Sequence, residues 1–208
     1  MKTGIDTRVL KLVAVGLSLV FALLACENPT GSSSENGTTG GSNGGGDAGE
    51  TTFQIGDTGP AGGIVIYDKG SYSDGWRYLE AWTADETGTY QWKTSNTWTR
   101  GTDTPFGSGY ENTYTAMAGS EHPAAEVVRN ATHGGHDDWF LPSQQTLNRM
   151  YAQREVIGGL AQDVDHRVYW SSSEGNNEGS ARARNLFNGS FWTYLMHVEL
   201  KVRAVRRF

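Results

Sequence analysis

The densest cluster of chemically capable side chains is His133-Gly134-Gly135-His136-Asp137-Asp138. Two imidazoles and two carboxylates can ligate a divalent metal, with His133, His136 and Asp137 as the donors. The two glycines put the cluster in a loop, where sequence spacing fixes little geometry, so the balance is against a metal site. Ser171-Ser172-Ser173 offers hydroxyls, but no Gly-x-Ser-x-Gly elbow surrounds them and no base is placed by sequence beside them. Their expected work is to satisfy backbone groups at a strand end. Asp103, Asp163 and Asp165 are oxygen donors without an EF-hand loop. The one cysteine, Cys26, precedes the globular part, so residues 52–208 have no disulfide, no thiolate zinc site and no cysteine nucleophile. No cofactor is expected, and the chain reads as non-enzymatic.

Aromatic residues carry the stronger signal. All seven Trp lie after residue 75. Trp76, Trp82, Trp139 and Trp170 fall in predicted strands or core segments. Trp92, Trp98 and Trp192 fall in or near irregular stretches rich in Thr, Asn and Gly, where an exposed ring suits a sugar face or a protein contact. These three are the ligand-binding candidates. Arg203 joins them from a basic terminal stretch. From Arg182 to Phe208 there are six bases and one acid. The expectation is that these bases pair with acids elsewhere in the domain, with an anionic-ligand patch as the alternative.

The elements that must position these residues divide the chain in three. Residues 1–25 are a short basic region followed by the apolar run Leu12 to Ala25, which has signal-peptide length and is short for a bilayer span. The run ends in Leu23-Leu24-Ala25-Cys26, which resembles a lipobox, so Cys26 is the expected lipidation site and the membrane the expected partner. Residues 26–51 hold eight Gly and almost no apolar side chain, the composition of a disordered tether. Residues 52–208 are long enough for one core. They hold fourteen bases against eighteen acids, a mildly acidic balance that offers no electrostatic footprint for nucleic acid.

Within the domain, Gly63 to Tyr67 and Trp76 to Trp82 read as strands, after a turn built from Gly56 to Gly62. Residues 83–121 read as long loops with short elements, the expected recognition surface. Pro123 to Asn130 predicts a helix with Pro in its first turn. Ser143 caps a second helix, which runs to about Val156 and stops at Gly158-Gly159. Arg167 to Ser172 predicts a strand. Ala183 to Phe187 and Ser190 to Leu195 predict a hairpin about Asn188-Gly189. Val198 to Phe208 predicts a last strand with Val198, Leu200, Val202 and Ala204 on one face. Strands at both ends with helices between make an α+β domain.

Five segments in order, residues 55–68, 138–147, 169–174, the hairpin and 202–208, resemble a bacterial domain of C-type-lectin-like fold. That domain occurs in lipoproteins and at the ends of collagen-like adhesins, and is distantly similar to the formylglycine-generating fold. The resemblance implies a mixed, mostly antiparallel sheet in which the first and last strands pair, placing residues 63–67 beside 198–206. It also implies a structural role for Asp138 and a core role for Trp139. Gln144 and Gln145 replace acids common in the family, Ala204 replaces a cysteine, and the animal lectins' calcium motifs are missing, so calcium-dependent sugar binding is not implied. The function so implied is a lipid-anchored envelope module recognising a glycan or protein ligand at the cell or outer membrane. The alternatives are an envelope assembly protein with a protein partner, and a metal-dependent enzyme using residues 133–138.

Overall fold

A computed structural model describes residues 51–208. The expected signal segment, Cys26 and tether residues 26–50 lie outside the described residues. The fold is α+β. In chain order the strands are β1 (Ile64–Ser73), β2 (Trp76–Ala81), β3 (Tyr90–Gln91), β4 (Val168–Glu174), β5 (Ser180–Asn185), β6 (Phe191–Leu195), β7 (Glu199–Leu200) and β8 (Val205–Arg207). Between β3 and β4 come the helices α1 (Ser108–Glu111), α2 (Pro123–Arg129), α3 (Gln144–Ala152) and α4 (Arg154–Ile157). Three antiparallel sheets result, with strand orders β1-β2-β8, β3-β7 and β4-β5-β6. Among the described residues no helix is long and apolar enough to cross a membrane.

Local chemistry explains most boundaries. The glycine turn before β1 closes through the Gly59 N–H, which donates to the Gly63 carbonyl at 2.8 Å. β1 runs past the expected Tyr67 to Ser73 because Asp74-Gly75, both at positive φ, makes a tight hairpin with Ser73 opposite Trp76. α2 starts at Pro123, whose missing N–H would have no helical partner in any case. Ser143 caps α3, its Oγ accepting from the Thr146 N–H at 3.3 Å. The helix expected to reach Val156 is broken at Gln153, whose φ of −104° leaves the helical range, and α4 follows as a separate turn. α1 passes into a wider π-helical turn, Asn112–Ala116, where the Met117 N–H reaches back to the Asn112 carbonyl.

Three expectations need correction. The first and last strands share a sheet but do not pair, since β2 lies between them and Leu79 to Ala81 face Arg207 to Val205. The β1–β2 hairpin takes up one edge of β2 and leaves its other edge for β8. The last strand splits into β7 and β8. Val202, Arg203 and Ala204 between them are all buried, because this stretch crosses from sheet to sheet with protein on every side. The hairpin loop is longer than the Asn-Gly pair alone. Asn185 Oδ1 accepts from the Phe187 and Asn188 N–H groups, and Leu186 turns inward to 2% exposure. That Asx turn starts the reversal before Asn188.

The core has two neighbouring parts. Trp92, Trp139 and Trp170 dominate one, and Phe140, Leu147, Met150 and Tyr169 the other. At the first sits His122, fully buried, its ring 5.3 Å from Trp92 and its Nε2 3.1 Å from Thr99 Oγ1. Its Nδ1 has no partner among the described residues. Burial pushes the imidazole from 6.5 down to about 4, against an upward pull from Glu121 and with help from Lys93 and Arg129. The unfolded chain therefore binds this proton near pH 6.5 while the folded chain refuses it until about pH 4. Folding weakens as pH falls through that window, by about 3 kcal/mol in all. Denaturant titrations between pH 7 and 4 are expected to show this slope, and His122→Gln is expected to flatten it.

Candidate functional site

A cleft of about 470 Å³ opens among the described residues. Residues 158–162 make one wall, Leu186 and Phe187 the other, and Arg154 with Glu155 the lip. It is built by Gly158-Gly159, which in the sequence serve only to stop a helix. Gly158 adopts φ 61° and ψ −173°, a conformation open essentially to glycine. Gly159 sits at φ 58°, and a Cβ there would lie 2.3 Å from the Thr83 carbonyl oxygen. This chain reversal shapes the loop that lines the cleft together with Leu186 and Phe187.

The wall is fastened from below. Arg203, fully buried, donates from Nε to Asp85 Oδ1 at 2.7 Å, from Nη2 to the Gly159 carbonyl at 2.6 Å and from Nη1 to the Trp82 carbonyl at 2.8 Å. Asp85 also accepts from the Tyr169 hydroxyl at 2.8 Å, and that hydroxyl accepts from the Ala161 N–H at 2.7 Å. Burial, then the adjacent Asp85 charge, raises the Tyr169 phenol above its usual range, so it stays a neutral donor. One half-buried carboxylate thus holds two groups, and each of these pins a different point of the loop. Arg167 joins the walls from outside. Its Nε donates to the Gln162 carbonyl at 2.7 Å, and its guanidinium lies 3.9 Å from the centre of the Phe187 ring.

The sequence candidates do not converge on one place. Trp92 is fully buried, with its indole N–H donating to the Ser171 carbonyl at 2.7 Å, so it belongs to the core and not to a ligand surface. Arg203 is likewise enclosed and touches no solvent, so it positions the cleft wall rather than meeting a ligand. Both exclusions follow from backbone carbonyls that need donors inside the fold. Trp98 is half-buried in a loop fastened by Lys93, and by the Glu174 carboxylate, which accepts from the Thr99 and Arg100 N–H groups. Trp192 is 57% exposed on β6.

The 133–138 loop is a structural clasp. His133 stacks on Trp82 at 4.7 Å and its Nε2 lies 2.7 Å from Glu86, while the Trp139 indole N–H is shared between the His133 and His136 carbonyls. Asp138 pairs with Arg206, which also reaches the fully buried Glu80. No group of three or more His, Cys, Asp and Glu among the described residues is arranged to hold a metal. His133, His136 and Asp137 do not form one. The serines are equally engaged. Ser171 Oγ donates to the Arg182 carbonyl, Ser172 Oγ accepts from Asn112, and Ser173 Oγ donates to the Asp103 carbonyl. Compared with known protein families and with curated proteins, the chain matches none.

Breaking a fully buried ion pair costs about 3–5 kcal/mol; here Arg203 is buried and Asp85 keeps some contact with water, so the lower end of that range applies. Arg203→Ala is expected to lower stability by about that amount in urea titrations. Tyr169→Phe keeps the ion pair and removes both hydroxyl contacts, the one donated to Asp85 and the one accepted from the Ala161 N–H. It is expected to cost about 1–2 kcal/mol and to accelerate amide exchange at Ala161 more than in the sheet interiors.

Proposed function

We propose that the chain is a lipid-anchored binding module of the cell envelope, C-type-lectin-like in fold, that holds a glycan or protein ligand in the cleft beside Phe187 without chemical turnover. The observation that carries this reading is the fastening of the cleft wall by Arg203, Asp85 and Tyr169. A wall already fixed loses little further freedom when a ligand arrives. Leu160 and Ala161 give apolar surface, Phe187 at 53% exposure offers part of a ring, and Arg154 with Gln162 supplies polar contacts at the rim. That mixture suits the face of a sugar or a protein side chain. The Ser171 and Ser173 hydroxyls and the His133 imidazole are engaged in holding loops together. The anchor rests on the apolar run ending at Cys26, where acyl chains would give lasting residence at the cell or outer membrane.

An envelope assembly protein with a protein partner is the second reading. The uncovered outer edge of β6 favours it.

The test is a glycan array probed with the purified chain, once with calcium and once with chelator. Phe187→Ala is expected to lower capture about tenfold or more while leaving the melting temperature within about 2 °C of the parent. Loss with Trp98→Ala and not with Phe187→Ala would move the site to the loop around Trp98. A blank array in both conditions would favour the protein partner and direct the search to crosslinking on intact cells.

A further inference from the structure

β6 is the outer strand of the β4-β5-β6 sheet, with the sequence Phe191-Trp192-Thr193-Tyr194-Leu195. It carries no charge and no proline, two devices by which proteins guard a free edge. The outer edge of β1 is treated differently. There the Gly56 N–H donates to the Val65 carbonyl and the Val65 N–H to the Asp57 carbonyl, so the preceding turn covers it.

The ladder decides which backbone groups of β6 point outward. Residues of β5 and β6 face each other in the register Ala181 with Tyr194, Arg182 with Thr193 and Ala183 with Trp192. The Met196 N–H donates to the Gly179 carbonyl and the Asn185 N–H to the Ser190 carbonyl, which fixes the hydrogen-bonded positions at odd-numbered residues of β5. By the antiparallel alternation, Trp192 and Tyr194 turn their backbone groups toward β5, and Phe191 and Thr193 turn theirs outward. Among the described residues, no backbone or side-chain group meets the N–H and C=O of Phe191 or Thr193.

We infer that a second copy of this chain occupies this edge, with the two β6 strands antiparallel about a twofold axis through Thr193. The strand is self-complementary in that register. Thr193 meets the other copy's Thr193 in a hydrogen-bonded pair, so each outward N–H finds an outward C=O. Phe191 meets Leu195, and Trp192 meets Tyr194 in a closely spaced non-hydrogen-bonded pair of aromatic side chains. Trp192 and Leu195, at 57% and 53% exposure, are covered by the pairing. Tyr194 packs edge-on against the buried Trp170, so the aromatic contact extends the existing core across the axis. Arg182 lies beside Thr193 on β5, which separates the two copies of Arg182 by three strand spacings, roughly 14 Å. That distance exceeds the screening length at physiological salt. The result is one six-stranded sheet with an isologous interface. It is independent of the cleft, so failure of either reading leaves the other standing.

The Thr193 N–H is not used within the chain, so proline at this edge removes an intermolecular donor and no intramolecular one. Sedimentation velocity of the full chain, in one non-ionic detergent, is the test. The parent is expected to shift from monomer to dimer with rising concentration, Thr193→Pro to stay monomeric with an unchanged far-ultraviolet circular dichroism spectrum, and Trp192→Ser to weaken the dimer at least about tenfold. A parent that stays monomeric up to about 0.1 mM overturns the inference. So does a folded Thr193→Pro chain that associates like the parent. Should Thr193→Pro fail to fold, Trp192→Ser decides, and an undiminished dimer in that variant overturns the inference.

Discussion

Everything in this domain is tied to one stretch of backbone, residues 199–208. Its first two residues pair with β3. The Lys201 carbonyl accepts from the Trp170 N–H in β4, and the Lys201 N–H donates to the Val168 carbonyl. Val205 exchanges two hydrogen bonds with Phe140, β8 pairs with β2, and Phe208 closes on Tyr78. Three small sheets are thereby made into one body. The side chains repeat the pattern. Arg203 fastens the cleft loop, Arg206 ties Glu80 to Asp138, and Arg207 reaches Glu111.

That arrangement explains why a mildly acidic domain gathers its bases at one end. A seam running through the interior meets many inward-facing carbonyls and carboxylates, and arginine satisfies several at once through its planar fork of donors. Glu80 is fully buried and keeps both oxygens occupied, one by the Gly63 N–H and one by Arg206. The cleft is a by-product of the same logic. Its wall stays in place because Asp85 and Arg203 neutralise each other beneath it, leaving the remaining guanidinium donors for carbonyls.

Much of this was legible in the sequence. Pro123 and Ser143 marked their helices, Gly158-Gly159 marked a stop, and the alternation in β2 and the β-branched start of β1 marked strands. The expected pairing of the terminal arginines with acids holds for Arg203, Arg206 and Arg207. The misses have physical causes. Asp74-Gly75 carried an available hairpin signal that would have extended β1. Trp92 looked like a surface residue because its neighbours Gln91 and Lys93 are polar, and Arg203 because strand alternation sets it on the face opposite Val202 and Ala204. Their burial depends on Ser171, Asp85 and Gly159, all more than forty residues away. No local pattern distinguishes an arginine that meets water from one that meets a half-buried carboxylate. The cleft was invisible for the same reason, since its two walls come from separate segments joined through Arg167.

The position of the seam also governs how the chain acquires its structure. The contacts that fuse the sheets join residues as far apart as Trp82 and Arg203 or Glu80 and Arg206. Such non-local closures carry a large loop entropy and fold slowly. While residues 199–208 are still unmade, the β1–β2 hairpin lacks its third strand and Tyr90 and Gln91 have nothing to pair with. Before that stretch docks, the domain is therefore an open chain with a few local hairpins and helices. A domain whose sheets are joined through one such stretch gains its rigidity in a single late step, when that stretch docks.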